Sequence, residues 1–339
     1  MSLRNSSLAK RVTALDNLHR RGAELNLPRL KSAGVDFVHG DIRFPEDLNL
    51  AGPPDLIVEC SAEPSAMAGY GGSPEYLFQT NLVGCFHCLE LARRSKADFV
   101  FISTSRVYPY GLLNQLSFTE ELTRFALAQE QSLTGASSFG VSEDFPLDGP
   151  RSLYGVTKLA AELIALEYAD AYGLRVLIDR CGLLTGPWQM GKSDQGVIAL
   201  WMAAHYFQRD LRYIGFGGEG KQVRDFLHID DLCDLMTLQI RDFDRYAGQL
   251  FNVGGGMEFS LSLLECTELC REITGQRMAI GAVPENRPAD LRIFVTDRRR
   301  VSECSGWKPS RDARRTLSDI YSWIRSEEAL VKPVLLGTT

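Results

Sequence analysis

Through its first half the chain repeats one pattern, a short apolar, β-branched run followed by a stretch with helical spacing. Strands separated in this way by helices run parallel, and the helices cover both faces of the sheet they join. The strand candidates are Arg11 to Leu15, Asp36 to Val38, Leu56 to Cys60, Phe99 to Ser103 and Arg175 to Asp179. Helices are predicted at Tyr76 to Arg94, where Leu77, Asn81, Phe86 and Leu89 fall near helical spacing, and at Leu153 to Tyr172. The implied fold class is α/β, a doubly wound parallel sheet. The stretch from Pro109 to Pro150 has little periodicity and much Gly, Ser, Pro and acid, so it reads as an insertion on one edge. From Gly186 the texture changes to mixed short strands and helices. The expected division is therefore a sheet domain over 1–185 and a smaller mixed α/β, substrate-facing lobe over 186–335.

Composition removes several function classes. Hydrophobic residues make up 45% and charged residues 24% of the 339 residues, an ordinary globular mixture. A net charge of −6 argues against a nucleic-acid binder. No run approaches the ~18 apolar residues of a membrane helix, and MSLRNSSLAKR contains no apolar signal segment, so the expected location is the cytoplasm. Eight cysteines are too dilute here for a disulfide scaffold. Cys85 with Cys88, and Cys266 with Cys270, lie in the amphipathic stretches LVGCFHCLELARR and LLECTELCREITG, where cysteine serves as a small core residue. No metal site is expected. His39 and His205 stand alone and read as structural.

Two motif matches fail on context. Gly186-Pro-Trp-Gln-Met-Gly191-Lys192-Ser193 spells a P-loop for nucleotide phosphates, before a predicted helix at Val197 to Tyr206. Its interior carries Pro187, Trp188, Gln189 and Met190, bulky residues where a phosphate cradle favours small ones. Gly215-Phe-Gly217-Gly-Glu-Gly220 spells the dinucleotide fingerprint, yet KQVRDFLHI behind it is strand-like, and the fingerprint works only where its last glycine opens a helix. It reads as a hairpin-like turn.

The chemistry lies elsewhere. Tyr154 and Lys158 are four residues apart and so share a helix face. Phe99 to Ser103 is an apolar strand ending in the hydroxyls of Ser103, Thr104 and Ser105, and strand ends are where α/β sheets present site residues. An ammonium beside a phenol favours the phenolate, which then takes a proton from an alcohol near neutral pH. A hydroxyl from Thr104 or Ser103 would position that alcohol. The alternative for the pair is a tyrosine packed on the sheet and a lysine paired at the surface.

These residues resemble the extended short-chain dehydrogenase/reductases, the NAD-dependent nucleotide-sugar epimerases and dehydratases with a Rossmann-like sheet. The likeness runs from Val12 to Trp323 through ALDNLHRRGAELNLPRL, FVHGDIR, ECSAEPSAMAGYGGSP, FISTSRVYP, SEDFPLDGPRSLYGVTK, GPWQMGKSDQG, GKQVRDFLHIDDLCDL and RPAD. Within the family the branch that inverts carbon 2 of CDP-linked sugars is the most similar. The resemblance implies Tyr154 as acid/base, Lys158 as its electrostatic partner and a ligand of the cofactor, and Thr104 as hydroxyl positioner. It implies NAD contacts from Asp16, Asn17, Asp41, Ile42, Ser61, Ala62, Asn81, Ser103, Tyr154 and Cys181 as well. Asp16 closes the second strand of the fold, where an acid takes the adenosine ribose and favours NAD over NADP. On the substrate side it implies Arg224 and Arg287 gripping the nucleotide diphosphate, with Gln189 and Asp290 as further contacts. The dehydratases carry an acidic pair after the catalytic threonine. Here Ser105 and Arg106 follow it, which implies an epimerase. A homodimer or homotetramer through the Leu82 to Arg94 and Tyr154 helices is expected.

One part of the pattern is absent from the sequence. The glycine-rich turn belongs roughly 20 residues before the ribose-binding acid, and that acid is already residue 16. In the order 3-2-1-4-5-6 the first strand is central, so its absence leaves a gap with unpaired backbone. The expectation is a parent protein with about 25 more residues at the start. The rival expectation is a cofactor-free form that binds nucleotide sugars or acts as an inactive partner.

Overall fold

The computed structural model describes residues 1–6, 8–191 and 195–337. In chain order the strands are β1 (Thr13–Asp16), β2 (Asp36–His39), β3 (Leu56–Glu59), β4 (Asp98–Thr104), β5 (Phe118–Glu120), β6 (Phe125–Leu127), β7 (Ala136–Ser137) and β8 (Gly140–Val141). They continue as β9 (Val176–Cys181), β10 (Leu183–Thr185), β11 (Leu211–Ile214), β12 (Val223–His228), β13 (Leu250–Val253), β14 (Ser260–Ser262), β15 (Ile280–Val283) and β16 (Ile293–Phe294). The five strands predicted in the first half are all present, with ends shifted by two residues or fewer. Among the described residues no helix is long and apolar enough to cross a membrane.

Two compact units interleave along the chain instead of following one another. The first takes 1–107, 152–180 and 233–251, and the second takes 108–151, 181–232 and the residues from 252 onward. The stretch read as an edge insertion thus belongs to the second unit. Its hairpins β5–β6 and β7–β8 are too short to bury their own apolar sides. Phe125 packs with Val223, Ile293 and Val295, and the Asn252 amide donates to Val141 O at 3.0 Å.

In the first unit the sheet order is β13-β9-β4-β3, with β3 parallel to β4. Strands β1 and β2 form a separate parallel pair, in register from Thr13 against Asp36 to Asp16 against His39. The bonds from Asp36 N–H to Val12 O and from Gly40 N–H to Asp16 O turn the even residues of β1 toward β2, so Thr13 and Leu15 aim their backbone groups away. By the same parity the bond from Asp98 N–H to Asp55 O leaves Leu56 and Val58 of β3 aimed away from β4. Among the described residues no strand pairs with either edge. Burial records the same break. Strand β9 is buried along its whole length, whereas Thr13 to Leu15 and Leu56 to Val58 are half-buried.

The helix Leu153–Tyr172 forms as predicted because both ends are marked. The Ser152 side chain accepts the Gly155 N–H, and Gly173 closes the helix in the left-handed conformation. Ala161 and Ala165 pack on Phe99, Phe101 and Ile178. The other predicted helix is broken into Glu75–Phe78, a π-helical turn over Gln79–Gly84, and Cys85–Ser95. Cys85 and Cys88 are buried in the core it covers, and Cys266 and Cys270 are buried in the Leu263–Thr274 helix. Among the described residues no three His, Cys, Asp or Glu side chains group as metal ligands.

In the second unit β12 pairs with β10, β14 and β16, while β11 pairs with β15. Gly215 to Gly220 opens no helix of the dinucleotide type. It is not a hairpin either, because the strands on its two sides, β11 and β12, belong to different sheets.

Candidate active site

Strand β4 ends at Thr104, which is buried, and the Leu153–Tyr172 helix lies in the same unit with Tyr154, Lys158 and Glu162 on one face. Tyr154 is half-buried and Lys158 is 2% exposed. The Lys158 ammonium sits 3.9 Å from the centroid of the Phe101 ring and 3.7 Å from Glu59 Oε2. Glu59 closes β3, and its Oε1 accepts the Ser61 N–H at 2.6 Å. Burial is the largest influence on Lys158 and opposes its charge, but the Glu59 carboxylate, together with Tyr154, Cys85 and Cys60, holds the lysine above its ordinary pKa. Burial pushes Glu59 up, against the pull of Lys158 and Ser61. Thr104 Oγ1 accepts the Arg106 N–H at 3.2 Å.

Ser103, grouped by sequence with the cofactor contacts, spends its hydroxyl on Glu162 Oε1. Glu162 is also gripped by Arg180, with Nη2 to Oε2 at 2.7 Å, and all three side chains are buried. Asn81 is likewise a brace. Its Oδ1 accepts the Glu63 N–H at 2.8 Å, and its Nδ2 donates to Thr157 Oγ1 at 3.2 Å, tying the loop after β3 to the Leu153–Tyr172 helix.

At the ends of β1 and β2, Asp16 is exposed and its Oδ1 accepts the Leu18 N–H at 2.7 Å. Asn17 donates to Asp41 Oδ2 at 2.9 Å, and Arg43 closes on the same carboxylate at 2.7 Å. Although burial works to raise it, these bonds bring the Asp41 pKa down to about 2. Ile42 is buried against Gly84, and Ser61 and Ala62 are half-buried just beyond β3. Cys181 is buried at the end of β9 and falls in the second unit.

The second unit brings three of the four substrate-side residues together. Arg224 lies 3.5 Å from Asp290 Oδ1 and donates to Leu291 O at 2.6 Å. The Asp290 N–H donates to Arg287 O at 3.2 Å, and the Arg287 side chain is exposed. Gln189 is bound into its own loop, donating to Leu184 O at 2.9 Å and accepting from Thr185 Oγ1 at 3.0 Å. Trp188 of that loop packs on Trp323 at 5.8 Å, which is not how a phosphate cradle is built. Lys192 and Ser193 of the P-loop match lie outside the described residues.

Sequence reasoning missed Glu59 and Glu162. Each had a signal. Glu59 ends the apolar run Leu-Ile-Val-Glu, and Glu162 extends the Tyr154 and Lys158 spacing by one more turn. A carboxylate buried in such a place requires a cation.

A doubly wound sheet with strand-end hydroxyls and a Tyr-x-x-x-Lys helix in one unit defines a short-chain dehydrogenase/reductase class of protein. Residues 2–254 match the NAD dependent epimerase/dehydratase family, and the chain belongs to it. It is 31% identical to CDP-paratose 2-epimerase of Salmonella typhi over 93% of this chain and 92% of that protein. It is 27% identical to dTDP-glucose 4,6-dehydratase of Streptomyces antibioticus over 95% of this chain and 85% of the other. Among solved structures, UDP-glucose 4-epimerase from Thermotoga maritima superposes with a TM-score of 0.77 at 22% identity, covering 96% of both chains. dTDP-glucose 4,6-dehydratase from Bacillus anthracis, in complex with NAD, gives 0.75 at 22% identity over 98% of this chain and 93% of that one. These two likenesses establish the fold.

The cofactor of the family is NAD. The residues present fit its two ends unequally with its middle. An exposed acid closes β1 and a buried lysine stands beside the Thr104 strand, as the ribose ends require. Among the described residues of the first unit, no glycine-rich turn opens a helix at β1 or β3 to cradle the phosphates.

Proposed function

We propose that the protein is an NAD-dependent nucleotide-sugar epimerase that inverts carbon 2 of CDP-paratose to give CDP-tyvelose through a 2-keto sugar. The observation that carries this reading is the buried Lys158 ammonium on the helix face of Tyr154, in the unit that also holds Thr104. The Salmonella typhi relative and the Ser105-Arg106 sequence after Thr104 favour epimerisation over dehydration. Thr104 positions the substrate hydroxyl. Tyr154 takes its proton as a phenolate stabilised by Lys158 and returns a proton when the sugar is reduced again. NAD, when bound, supplies the two-electron acceptor and donor. Asp16 would hold its adenosine ribose and Lys158 its nicotinamide ribose. Within the second unit, Arg224 and Arg287 grip the diphosphate, a task suited to guanidinium groups.

A second reading is a form that binds nucleotide sugars without turnover. Denaturing the purified protein and measuring released NAD by mass spectrometry separates the two. Near-equimolar NAD, either as purified or after incubation with the cofactor, supports the epimerase. Its absence in both supports the binding form.

We also infer a homodimer. Phe86, Val156, Leu163, Leu166 and Tyr172 are exposed apolar side chains on the Cys85–Ser95 and Leu153–Tyr172 helices, and a second copy would cover them.

A further inference from the structure

We propose that Glu59 is a positioning residue of the acid–base pair, the counter-ion that keeps Lys158 charged in a dry site and thereby keeps Tyr154 ionisable. This rests on the reading of Tyr154 and Lys158 as that pair. An ammonium 2% exposed has given up its water, and an isolated one would shed its proton. The Phe101 ring beneath it offers a π face but no carboxylate. Glu59 Oε2, at 3.7 Å, is the acidic oxygen within ion-pair reach of Lys158 Nζ among the described residues. Its partner oxygen is fixed by the Ser61 N–H, so the carboxylate is held in place before any substrate arrives. The other titratable groups acting on Lys158 are Tyr154 on its own helix, Cys60 beside Glu59 and Cys85 on the Cys85–Ser95 helix. None of them is a carboxylate. Glu162, one turn along, is already matched by Arg180.

Two opposite effects are in play, and the structure decides between them. A carboxylate repels a phenolate, so removing Glu59 would by that route make Tyr154 easier to ionise. But the charge on Lys158 is supported by Glu59 at 3.7 Å, and losing that ammonium removes the cation one turn along the helix from the phenolate. Burial is the strongest influence on Lys158 and works against its charge, so the second route wins.

The test is the tyrosinate ultraviolet titration of the wild type and of Glu59→Gln, each with the Tyr154→Phe signal subtracted in the same background. Glutamine keeps the acceptor for the Ser61 N–H and removes only the charge. The Tyr154 midpoint is expected to rise by about one pH unit or more in Glu59→Gln. In a Lys158→Met background the same substitution is expected to produce no rise. An unchanged or lowered midpoint with Lys158 present overturns the proposal. Glu59→Asp keeps the charge and is expected to stay within about half a unit of the wild type. If Glu59→Gln fails to fold by circular dichroism, Glu59→Asp decides alone, and a rise of a full unit there overturns the proposal. The titration needs neither turnover nor NAD. Its failure is therefore distinguishable from failure of the epimerase reading, which a sugar assay reports.

Discussion

Asp179 in β9 is wholly buried, with Oδ1 accepting from the Gln239 amide at 3.0 Å. Among the described residues, its Oδ2 and the Gln239 Oε1 have no hydrogen-bond partner. A proton on Oδ2 removes the buried charge. Burial accordingly raises the Asp179 pKa from 3.8 to about 7, against the lowering effect of Gln239. The folded state then holds a proton that the unfolded state releases above pH ~4, so stability falls as pH rises from there toward 7 and is level beyond it. About three units at ~1.4 kcal/mol each make this roughly 4 kcal/mol, of which ~3 kcal/mol falls between pH 5 and pH 8. Asp179→Asn is neutral at every pH. The variant should therefore gain about 3 kcal/mol on the wild type between those two pH values, read from urea unfolding curves. Equal pH dependence in the two proteins, or an asparagine variant that loses ground as pH rises, refutes the reasoning.

Three further outcomes follow from the same geometry. Tyr154→Phe should reduce epimerisation by at least about 100-fold, the scale of a lost general acid–base, while leaving cofactor content unchanged; comparable turnover would remove Tyr154 from its role. Asp231 is buried and accepts from the Ser310 N–H at 3.1 Å, the Ser310 hydroxyl at 3.0 Å, and Arg311 N–H and Nη1 at 3.1 Å and 2.6 Å. Asp231→Ala should therefore cost about 3 kcal/mol in denaturant unfolding, against the fraction of a kcal/mol expected of a surface change. Leu163→Asp should abolish the inferred homodimer in sedimentation equilibrium, and an unchanged dimer mass would place the interface elsewhere.

The strands and the Leu153–Tyr172 helix were legible because their signals are local. A strand buried on both faces concentrates apolar and β-branched residues, and Ser152 with Gly173 marks the two helix ends. The π-helical turn at Gln79–Gly84 was not legible, since the apolar spacing of Tyr76 to Arg94 tolerates one wide turn. The interleaving of the units was hidden for another reason. It depends on where β5 to β8 find apolar cover, and hairpins that short carry no sign of their destination. The same limit applied to Gly215 to Gly220, where a following strand was readable but the sheet it joins was not. At the candidate site, Tyr154 and Lys158 came from their spacing, strand position offered Thr104 or Ser103, and the family resemblance chose Thr104. Glu59 lies about a hundred residues from Lys158 in sequence and met it only through the stacking of β3 beside β4. Ser103 was named for its place at the strand end, but a buried hydroxyl bonds to whatever acceptor is near, and Glu162 is there first.

The central claim is tested most directly by supplying the protein with NAD and CDP-paratose and following the carbon-2 proton by NMR. The account predicts a mixture of CDP-paratose and CDP-tyvelose reached from either side, with no accumulation of NADH and no conversion in Tyr154→Phe. CDP-paratose left unchanged by protein shown to carry NAD, or a dehydrated keto sugar formed from dTDP-glucose instead, would contradict it.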